Sequence, residues 1–483
     1  MKTNILMAIL LMINSLTMAQ ERSAKVVLQL SSLTNSDSIS IVAERYGQLS
    51  TRSDRTEAVY TAALKGKSAQ FKIPVFDHPM RFQIRLDSKE PAAVKYGPGL
   101  FNLQTSFYFL ENGDDILIRE TNGHIECSGH GYEKIQLIDE LNKLASRYGS
   151  PGSYNDHGKI KAYLDSRDTL FLEQVALVKK SRDLISPEMR SLLQAEVTGN
   201  YLSRFNILFN ALKRSEWMKD SISTYRQQNR VSLDTARLND EPVMGYSASY
   251  PFGLLAEYQL DSVVLANKAF DLAKCYHYFK SNYDGYLRER VIMELIYNNK
   301  RQETDIAGLC KDALTYFENR DFRDGLEALL KVRKDRDVIY QFSLTDKKGN
   351  KIPLSAYKGK ILFLDFWFTG CGSCLHMPPV IKNVMAKLAG EPVVYLSISI
   401  DRSKAIWLKN ARSGAYTTAG EVDLYTEGLG IEHPITKYFD ITGAPTIILF
   451  DKQGRFVDLP EPAAARRDNG KRIIEIIKGQ LAR

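Results

Sequence analysis

Long apolar runs are scarce in this chain of 483 residues. Beyond the stretch Met1 to Ala19, no segment of about twenty apolar residues occurs, which excludes a second hydrophobic span. Blocks of one charge are also lacking. The formal net charge is +8, but the basic residues are scattered, so no nucleic-acid partner is expected; the charge serves solubility and weak steering to acidic surfaces. Cysteine is sparse, with 5 in all. Only Cys371 and Cys374 stand as a CxxC pair, so no second pair completes a four-ligand structural zinc site. Leu375 stands between Cys374 and His376, which puts the histidine out of register for covalent haem attachment.

Met1 to Ala19 begins with Lys2, continues through apolar Ile5 to Ile13 and ends in Thr17-Met18-Ala19. This pattern predicts a secretory signal peptide over residues 1–19. No cysteine lies near the cleavage pattern, which argues against a lipid anchor. The mature protein is expected to begin near Gln20, one positive charge poorer, without a transmembrane segment, in the periplasm or cell envelope.

The chemistry concentrates in Trp367-Phe368-Thr369-Gly370-Cys371-Gly372-Ser373-Cys374. Ahead of it, Ile361 to Trp367 is almost continuously apolar and predicts a strand covered on both faces. Gly370 and Gly372 break the strand. Beyond Cys374, Val380, Val384 and Leu388, with Ile381 and Met385 beside them, recur at helical spacing. The CxxC is therefore expected where strand turns into helix, with Cys371 exposed at the helix start, where unpaired N–H groups and the helix dipole favour a thiolate. Cys371 is then the nucleophile that attacks a disulfide, and Cys374, a turn further on, resolves the mixed disulfide.

With Asp365 six residues before Cys371, Pro379 five after Cys374, and Thr442-Gly443-Ala444-Pro445-Thr446 before an apolar run to Phe450, the segment resembles the thioredoxin superfamily. Phe342 to Asp346 and Leu354 to Lys360 resemble the hairpin lead-in of its TlpA-type envelope thiol:disulfide oxidoreductases. The likeness covers about Asp337 to Arg483. It implies an α/β thioredoxin-like domain in which Asp365 assists proton transfer to the resolving cysteine, Pro379 kinks the active-site helix, and a cis Pro445 faces the dithiol. Trp367, Gly372, Ser373 and Ala444 would contact substrate. It further implies protein disulfide or thiol clients, a membrane thiol reductant, and no dissociable cofactor, because the two thiols are the redox centre. Two departures stand out: Ser397 occupies the place of a lysine near the buried acid, and Gly-Ser replaces Gly-Pro between the cysteines.

An alternative reading is a thioredoxin-fold copper metallochaperone, in which His376 and His433 join the thiolates around a soft ion. An adaptor that only recognises partners is disfavoured by the presence of both cysteines and Pro445. Peroxiredoxins place a proline and a threonine ahead of a single peroxidatic cysteine, and no such proline precedes Thr369.

The remaining chain predicts two further regions, and its length accommodates about two to four domains. Over 20–130, short alternating segments (Val26 to Leu30, Ser38 to Val42, Ala69 to Val75, Arg81 to Leu86, Ser106 to Leu110, Asp115 to Ile118) predict a β-sandwich. Over 131–333, helical periodicity takes over at Ile135 to Leu141, Leu170 to Val178, Met189 to Leu212, Leu260 to Phe279 and Arg288 to Tyr297, predicting an all-helical middle domain before the thioredoxin-like domain at 337–483. Cys127, Cys275 and Cys310 read as core residues, with a Cys275 to Cys310 disulfide as an alternative in an oxidising compartment. His124, Cys127 and His130 alternate faces along a strand and make a poor metal set. Neither region shows a catalytic constellation; both are expected to position partners or subunits.

Overall fold

The computed structural model describes residues 22–31, 38–44, 57–76, 78–87, 106–122, 124–148, 157–208, 212, 215–228, 242–300, 305–334 and 338–483. The expected signal peptide lies outside the described residues, as do most of the loop from Tyr148 to Gly158 and the start of the loop from Leu238 to Gly253. The described chain forms two compact units, one over 22–270 and 282–291, the other over 271–281 and 292–483. The helical region thus contributes to both.

The first unit opens with eight strands: β1 (Ser23–Leu30), β2 (Ser38–Glu44), β3 (Glu57–Ala63), β4 (Ser68–Pro74), β5 (Met80–Asp87), β6 (Tyr108–Leu110), β7 (Asp115–Thr121) and β8 (His124–His130). They form two four-stranded sheets, ordered β4-β1-β7-β8 and β3-β2-β5-β6, the sandwich that the alternating pattern predicts. In β1 every second residue is buried, from Ala24 to Leu30, as period-two patterning requires. Strand β3, whose Glu, Tyr and Thr among small residues give little alternation of hydrophobicity, was not foreseen. Cys127 is only half-buried, because β8 lies at a sheet edge and most of its residues are exposed.

Helices α1 (Glu133–Ser146), α2 (His157–Lys180), α3 (Pro187–Leu202), α4 (Glu216–Gln228) and α5 (Tyr250–Gln259) follow. The expected single helix from Leu260 to Phe279 is divided. A π-helical turn over Leu260–Leu265 runs into Asn267 at φ 51°, a left-handed residue that ends the helical hydrogen-bond ladder, and a new helix, α6 (Leu272–Asn282), starts beyond it.

The turn between β6 and β7 fastens strands to helices. Asp114 Oδ2 accepts the Glu111 N–H at 2.7 Å, and Lys134 Nζ donates to Asp114 Oδ1 and Glu111 Oε2, each at 2.8 Å. Ser186, the N-cap of α3, donates to the other oxygen of Glu111.

The second unit contains α6, most of α7 (Gly285–Asn299), then α8 (Ile306–Ala313) and α9 (Arg320–Lys334). Cys275 on α6 and Cys310 on α8 are buried free thiols, each pushed up to about 12 by burial. Next come β9 (Ser343–Asp346), β10 (Lys351–Pro353), β11 (Ile361–Trp367), α10 (Pro378–Lys387), β12 (Val393–Ser399), α11 (Lys404–Ser413), β13 (Val422–Tyr425), α12 (Pro434–Tyr438), β14 (Thr446–Phe450), β15 (Phe456–Val457), α13 (Pro462–Arg467) and α14 (Lys471–Leu481). The strands form one sheet, ordered β10-β9-β13-β12-β11-β14-β15. Every residue of β11 is buried. Leu362, Leu364 and Phe366 pack into one core with Leu396, Ile398, Ile435 and Phe450. Ile361 and Phe363 pack into another with Val380, Ile381 and Val384 of α10 and Ile473 and Ile477 of α14. Two ion pairs, Lys300 with Asp440 and Arg333 with Asp458, tie the preceding helices to this domain.

Lys134→Met is expected to destabilise the first unit by about 3–5 kcal/mol, because it leaves the buried Asp114 carboxylate without its cation. Urea denaturation followed by circular dichroism measures this, and an unchanged midpoint would contradict the account.

Candidate functional site

Strand β11 delivers the site. Its last residue, Trp367, hands over to a loop that turns at Gly370, whose φ of +93° is open to glycine and strained for other residues. Asp401, just past the neighbouring strand β12, holds this loop: its Oδ1 accepts the Thr369 N–H at 2.8 Å and its Oδ2 accepts the Thr369 hydroxyl at 2.9 Å. The Ser399 hydroxyl donates to Oδ2 at 3.0 Å. The Gly370 N–H donates to Tyr416 Oη at 3.0 Å.

Cys371 and Cys374 are joined by a disulfide with their Cα atoms 5.3 Å apart. They are 5% and 2% exposed, so Cys371 is more enclosed than expected. Its Sγ receives the Cys374 N–H at 3.2 Å and lies 3.5 Å from the Ala444 carbonyl oxygen and 3.6 Å from Ser373 Oγ. The Ala444–Pro445 peptide bond is cis. Gly372 and Ser373 are exposed, and a side chain at position 372 would meet open space.

The expected strand-to-helix junction is looser than the periodicity implies. Cys374–His376 forms one 3-10 turn, and α10 begins only at Pro378, with Pro379 beside it in the first turn. Pro379 therefore helps start the helix and does not kink it. A proline needs no N–H partner there and its fixed φ suits the position, whereas an interior proline would forfeit a hydrogen bond.

An aromatic wall backs the dithiol. Trp367, Cys371, Cys374, Trp407, Ala411, Tyr416 and Tyr425 form one buried cluster with Ala444 packed against it. Trp367 stacks on Tyr416 with ring centroids 4.9 Å apart, and Trp407 stacks on Tyr425 at 4.7 Å. Trp367, expected to contact substrate, is 1% exposed; its indole N–H donates to Ser397 Oγ at 2.8 Å. Its place is behind the loop, and the exposed Phe368 and Leu375 are the apolar groups on the surface.

Asp365 is 1% exposed, opposite Ser397 across the β11–β12 pairing, and its Oδ1 has no hydrogen-bond partner. Burial lifts its carboxyl well above the usual range, and the Glu421 carboxylate adds to the rise. No lysine stands at Ser397 to offset that.

A family description reading "Thioredoxin-like" matches residues 359–456. The C-terminal domain is thioredoxin-like. The thiol-disulfide oxidoreductase ResA of Geobacillus kaustophilus is 26% identical over 145 residues, 28% of this chain and 74% of that protein. The ResA of Bacillus subtilis is 28% identical over 116 residues, 24% of this chain and 61% of that protein. Among solved structures, the thioredoxin domain of a thiol-disulfide oxidoreductase from Bacteroides vulgatus is 25% identical, covering 28% of this chain and 91% of that one at a TM-score of 0.24. The chain thus spans under two thirds of the length of several ResA relatives.

Within that domain, Cys371, Cys374, Trp367 and Ala444 come together, with Gly372 and Ser373 on the loop between the cysteines and Asp365 two residues before Trp367 on the same strand face. The histidines of the copper alternative are differently engaged. His376 is exposed, whereas His433 is buried and caps α12, its Nδ1 accepting the Ile435 N–H at 3.2 Å. Among the described residues no group of three or more His, Cys, Asp or Glu side chains is arranged to hold a metal ion. Sequence reasoning missed Asp401, Tyr416, Tyr425 and Glu421. Asp401 ends an apolar strand, a visible signal; the others follow α11 in a segment with no periodicity to interpret.

Asp365 in the folded protein keeps its proton at pH values where the unfolded chain, near about 3.9, has lost it. Stability therefore falls as pH rises from about 4 toward the raised folded value. Asp365→Asn is expected to melt at a higher temperature than wild type at pH 7.5, with the advantage vanishing near pH 4. Equal melting of the two proteins at both pH values would count against a buried, raised carboxyl.

Proposed function

We propose that this chain is an exported thiol:disulfide oxidoreductase that reduces protein disulfides of the cell envelope through Cys371 and Cys374. The observation that carries the reading is the CxxC pair closed as a disulfide against the Ala444–Pro445 loop. In the reduced protein the Cys371 thiolate attacks one sulfur of a client disulfide, forming a mixed disulfide and releasing the other client sulfur as a thiolate. Cys374 then loses its proton and attacks Cys371 Sγ. That step forms the Cys371–Cys374 disulfide, breaks the bond to the client and leaves the client reduced by two electrons. Two electrons from a membrane thiol carrier restore the dithiol, and no dissociable cofactor enters.

The reductase direction is supported by how few backbone N–H groups surround Cys371 Sγ. A strong oxidant owes its potential to a stabilised reduced form. Here the helix proper starts at Pro378, beyond the reach of its dipole at Cys371, which falls off within a turn. One backbone N–H, that of Cys374, reaches Cys371 Sγ. Sparse support of this kind favours the reducing direction over the strongly oxidising one. Phe368 and Leu375 provide apolar contact for an unfolded or partly folded client, and Ala444 offers backbone for edge pairing.

Cys371 is the attacking thiol, Cys374 the resolving one, and Asp365 its proton acceptor. Export rests on the residue 1–19 pattern; among the described residues no helix is long and apolar enough to cross a membrane. The sandwich and the helices position partners or subunits. The copper metallochaperone is less well supported, because His433 would have to abandon its cap on α12 to reach a metal.

Cys374→Ser is expected to trap mixed disulfides through Cys371 in envelope extracts, and insulin reduction should vanish with Cys371→Ser while surviving His376→Ala. Trapping by Cys371→Ser and none by Cys374→Ser would reverse the assignment. Stoichiometric copper binding that His376→Ala abolishes, with no thiol exchange, would replace the oxidoreductase reading by the copper one.

A further inference from the structure

Helix α11 backs the dithiol with one face and shows the other to solvent. Trp407 and Ala411 are buried in the cluster that holds Cys371 and Cys374, and the Asn410 side chain donates to the hydroxyl of Thr369, two residues before Cys371, at 3.0 Å. One turn back from Asn410, Ile406 is 47% exposed. The residues around it on the outer side are cations: Arg402 just before the helix, then Lys404, Lys409 and Arg412, all exposed. A side chain at Gly428 would come within 3.0 Å of the Arg402 carbonyl oxygen, which brings the exposed Leu429 to the same corner. Phe368, also exposed, adjoins Thr369.

This face carries charge without a local partner. From Arg402 to Gly420 the sequence holds these cations and no acid, and none of them takes part in an ion pair among the described residues. Acids on neighbouring segments are engaged elsewhere: Asp423 with Lys347, Glu427 with Lys351, Glu432 with Lys437, and Glu421 with the Thr418 N–H. Other helices balance their surface cations within a turn, as Lys161 does with Asp165 and Arg472 with Glu475. Lys404 stands in the first turn of α11 and Arg402 beside its N-cap Ser403, with no acid there, although the helix dipole disfavours cations at that end. Stability therefore does not account for them.

We propose that the outer face of α11 is a docking surface for client polypeptide, and that it selects segments in which acidic residues flank an apolar one beside the disulfide. This rests on the exchange reaction proposed above and names the class of client for it. Ile406 and Phe368 take the apolar side chain. Lys404 and Lys409, on either side of Ile406 along the helix, take the acids. A fifth cation, Arg466 of α13, reaches the dithiol loop itself, donating to the Ser373 carbonyl at 3.4 Å, so a client approaching the sulfurs meets positive charge there as well.

Charge at such a surface acts mainly on encounter. An acidic segment is drawn in over about a Debye length, ~8 Å at physiological salt, and complementary charge raises association rates and rejects like-charged partners. The apolar contact then holds the segment while Cys371 attacks. Anionic lipid would also meet cations, but the face adjoins the dithiol through Asn410 and Thr369, which favours the client.

The experiment mixes the reduced protein with three disulfides in stopped flow: two disulfide-linked peptides, identical except that glutamates or lysines flank a leucine beside the cysteine, and the neutral hydroxyethyl disulfide. The protein dithiol is oxidised to the Cys371–Cys374 disulfide and each probe is reduced to two thiols, followed by tryptophan fluorescence. Each peptide rate is divided by its rate with dithiothreitol, which removes the effect of flanking charge on the disulfide itself. Wild type is expected to favour the glutamate peptide roughly ten-fold at about 20 mM salt and little at about 500 mM. Lys404→Glu with Lys409→Glu inverts the preference and leaves the hydroxyethyl disulfide rate unchanged, whereas Lys179→Glu with Lys180→Glu, the same change of net charge at exposed positions of α2, keeps it. Ile406→Ser slows both peptides alike. Equal peptide rates in wild type, a preference that survives the α11 reversal or is inverted by the α2 one, or an unslowed Ile406→Ser overturns the docking surface, while reaction with hydroxyethyl disulfide keeps the oxidoreductase reading. Equal peptide rates together with binding to phosphatidylglycerol vesicles that the α11 reversal abolishes assign the face to a membrane instead. Inertness toward all three disulfides overturns both readings.

Discussion

Burial of β11 on both faces is the constraint on which the C-terminal domain depends. The seven residues Ile361 to Trp367 are all enclosed, so alternate side chains must enter two separate cores, one on each side of the sheet. That requirement places helices on both sides and sets the interior position of the strand. It also carries the chain to the sheet edge with no slack, so that the dithiol loop begins where the last buried aromatic ends. Into this apolar strand the sequence admits one acid, Asp365, and the neighbouring strand meets it with Ser397 and no cation. The cost of that burial appears as a carboxyl pushed well above its usual range.

Rigidity of the loop comes from polar groups outside it. Asp401 binds both the N–H and the hydroxyl of Thr369, and such charge-assisted bonds are roughly twice as strong as neutral ones. Tyr416 fixes the Gly370 N–H from the other side. A fixed frame keeps the two sulfurs close, which in the proposed exchange favours attack of Cys374 on the mixed disulfide at Cys371, with the client thiolate leaving. The paired prolines stand at the start of α10, so the helix proper begins only beyond the dithiol. Loop placement and thiol electronics are thus controlled by different residues.

The first unit is organised by a different kind of contact. Its sheets follow from alternating hydrophobicity, but the joint between strands and helices is ionic, through Lys134, Asp114 and Glu111. The acidic turn between β6 and β7 has no evident purpose in the sequence until α1 brings the lysine to it.

Periodicity and spacing by themselves determined a good deal: the buried strand at Ile361 to Trp367, the CxxC pair that follows it, and the order of strand-rich and helical regions; the loop at Pro445 and the thioredoxin-like domain were implied by the family resemblance of neighbouring residues. These are legible because each is written in neighbouring residues, where local sterics and a repeat of two or 3.6 residues leave one reading. The break in the helix at Asn267 and the helix-starting role of Pro379 were decided by backbone hydrogen bonding that pattern alone does not encode. The aromatic wall of Trp407, Tyr416 and Tyr425 and the Asp401 clamp belong to tertiary structure. Their partners lie tens of residues away along the chain, and only the pairing of β11, β12 and β13 brings them within reach, because a sheet's register joins residues that no local repeat connects.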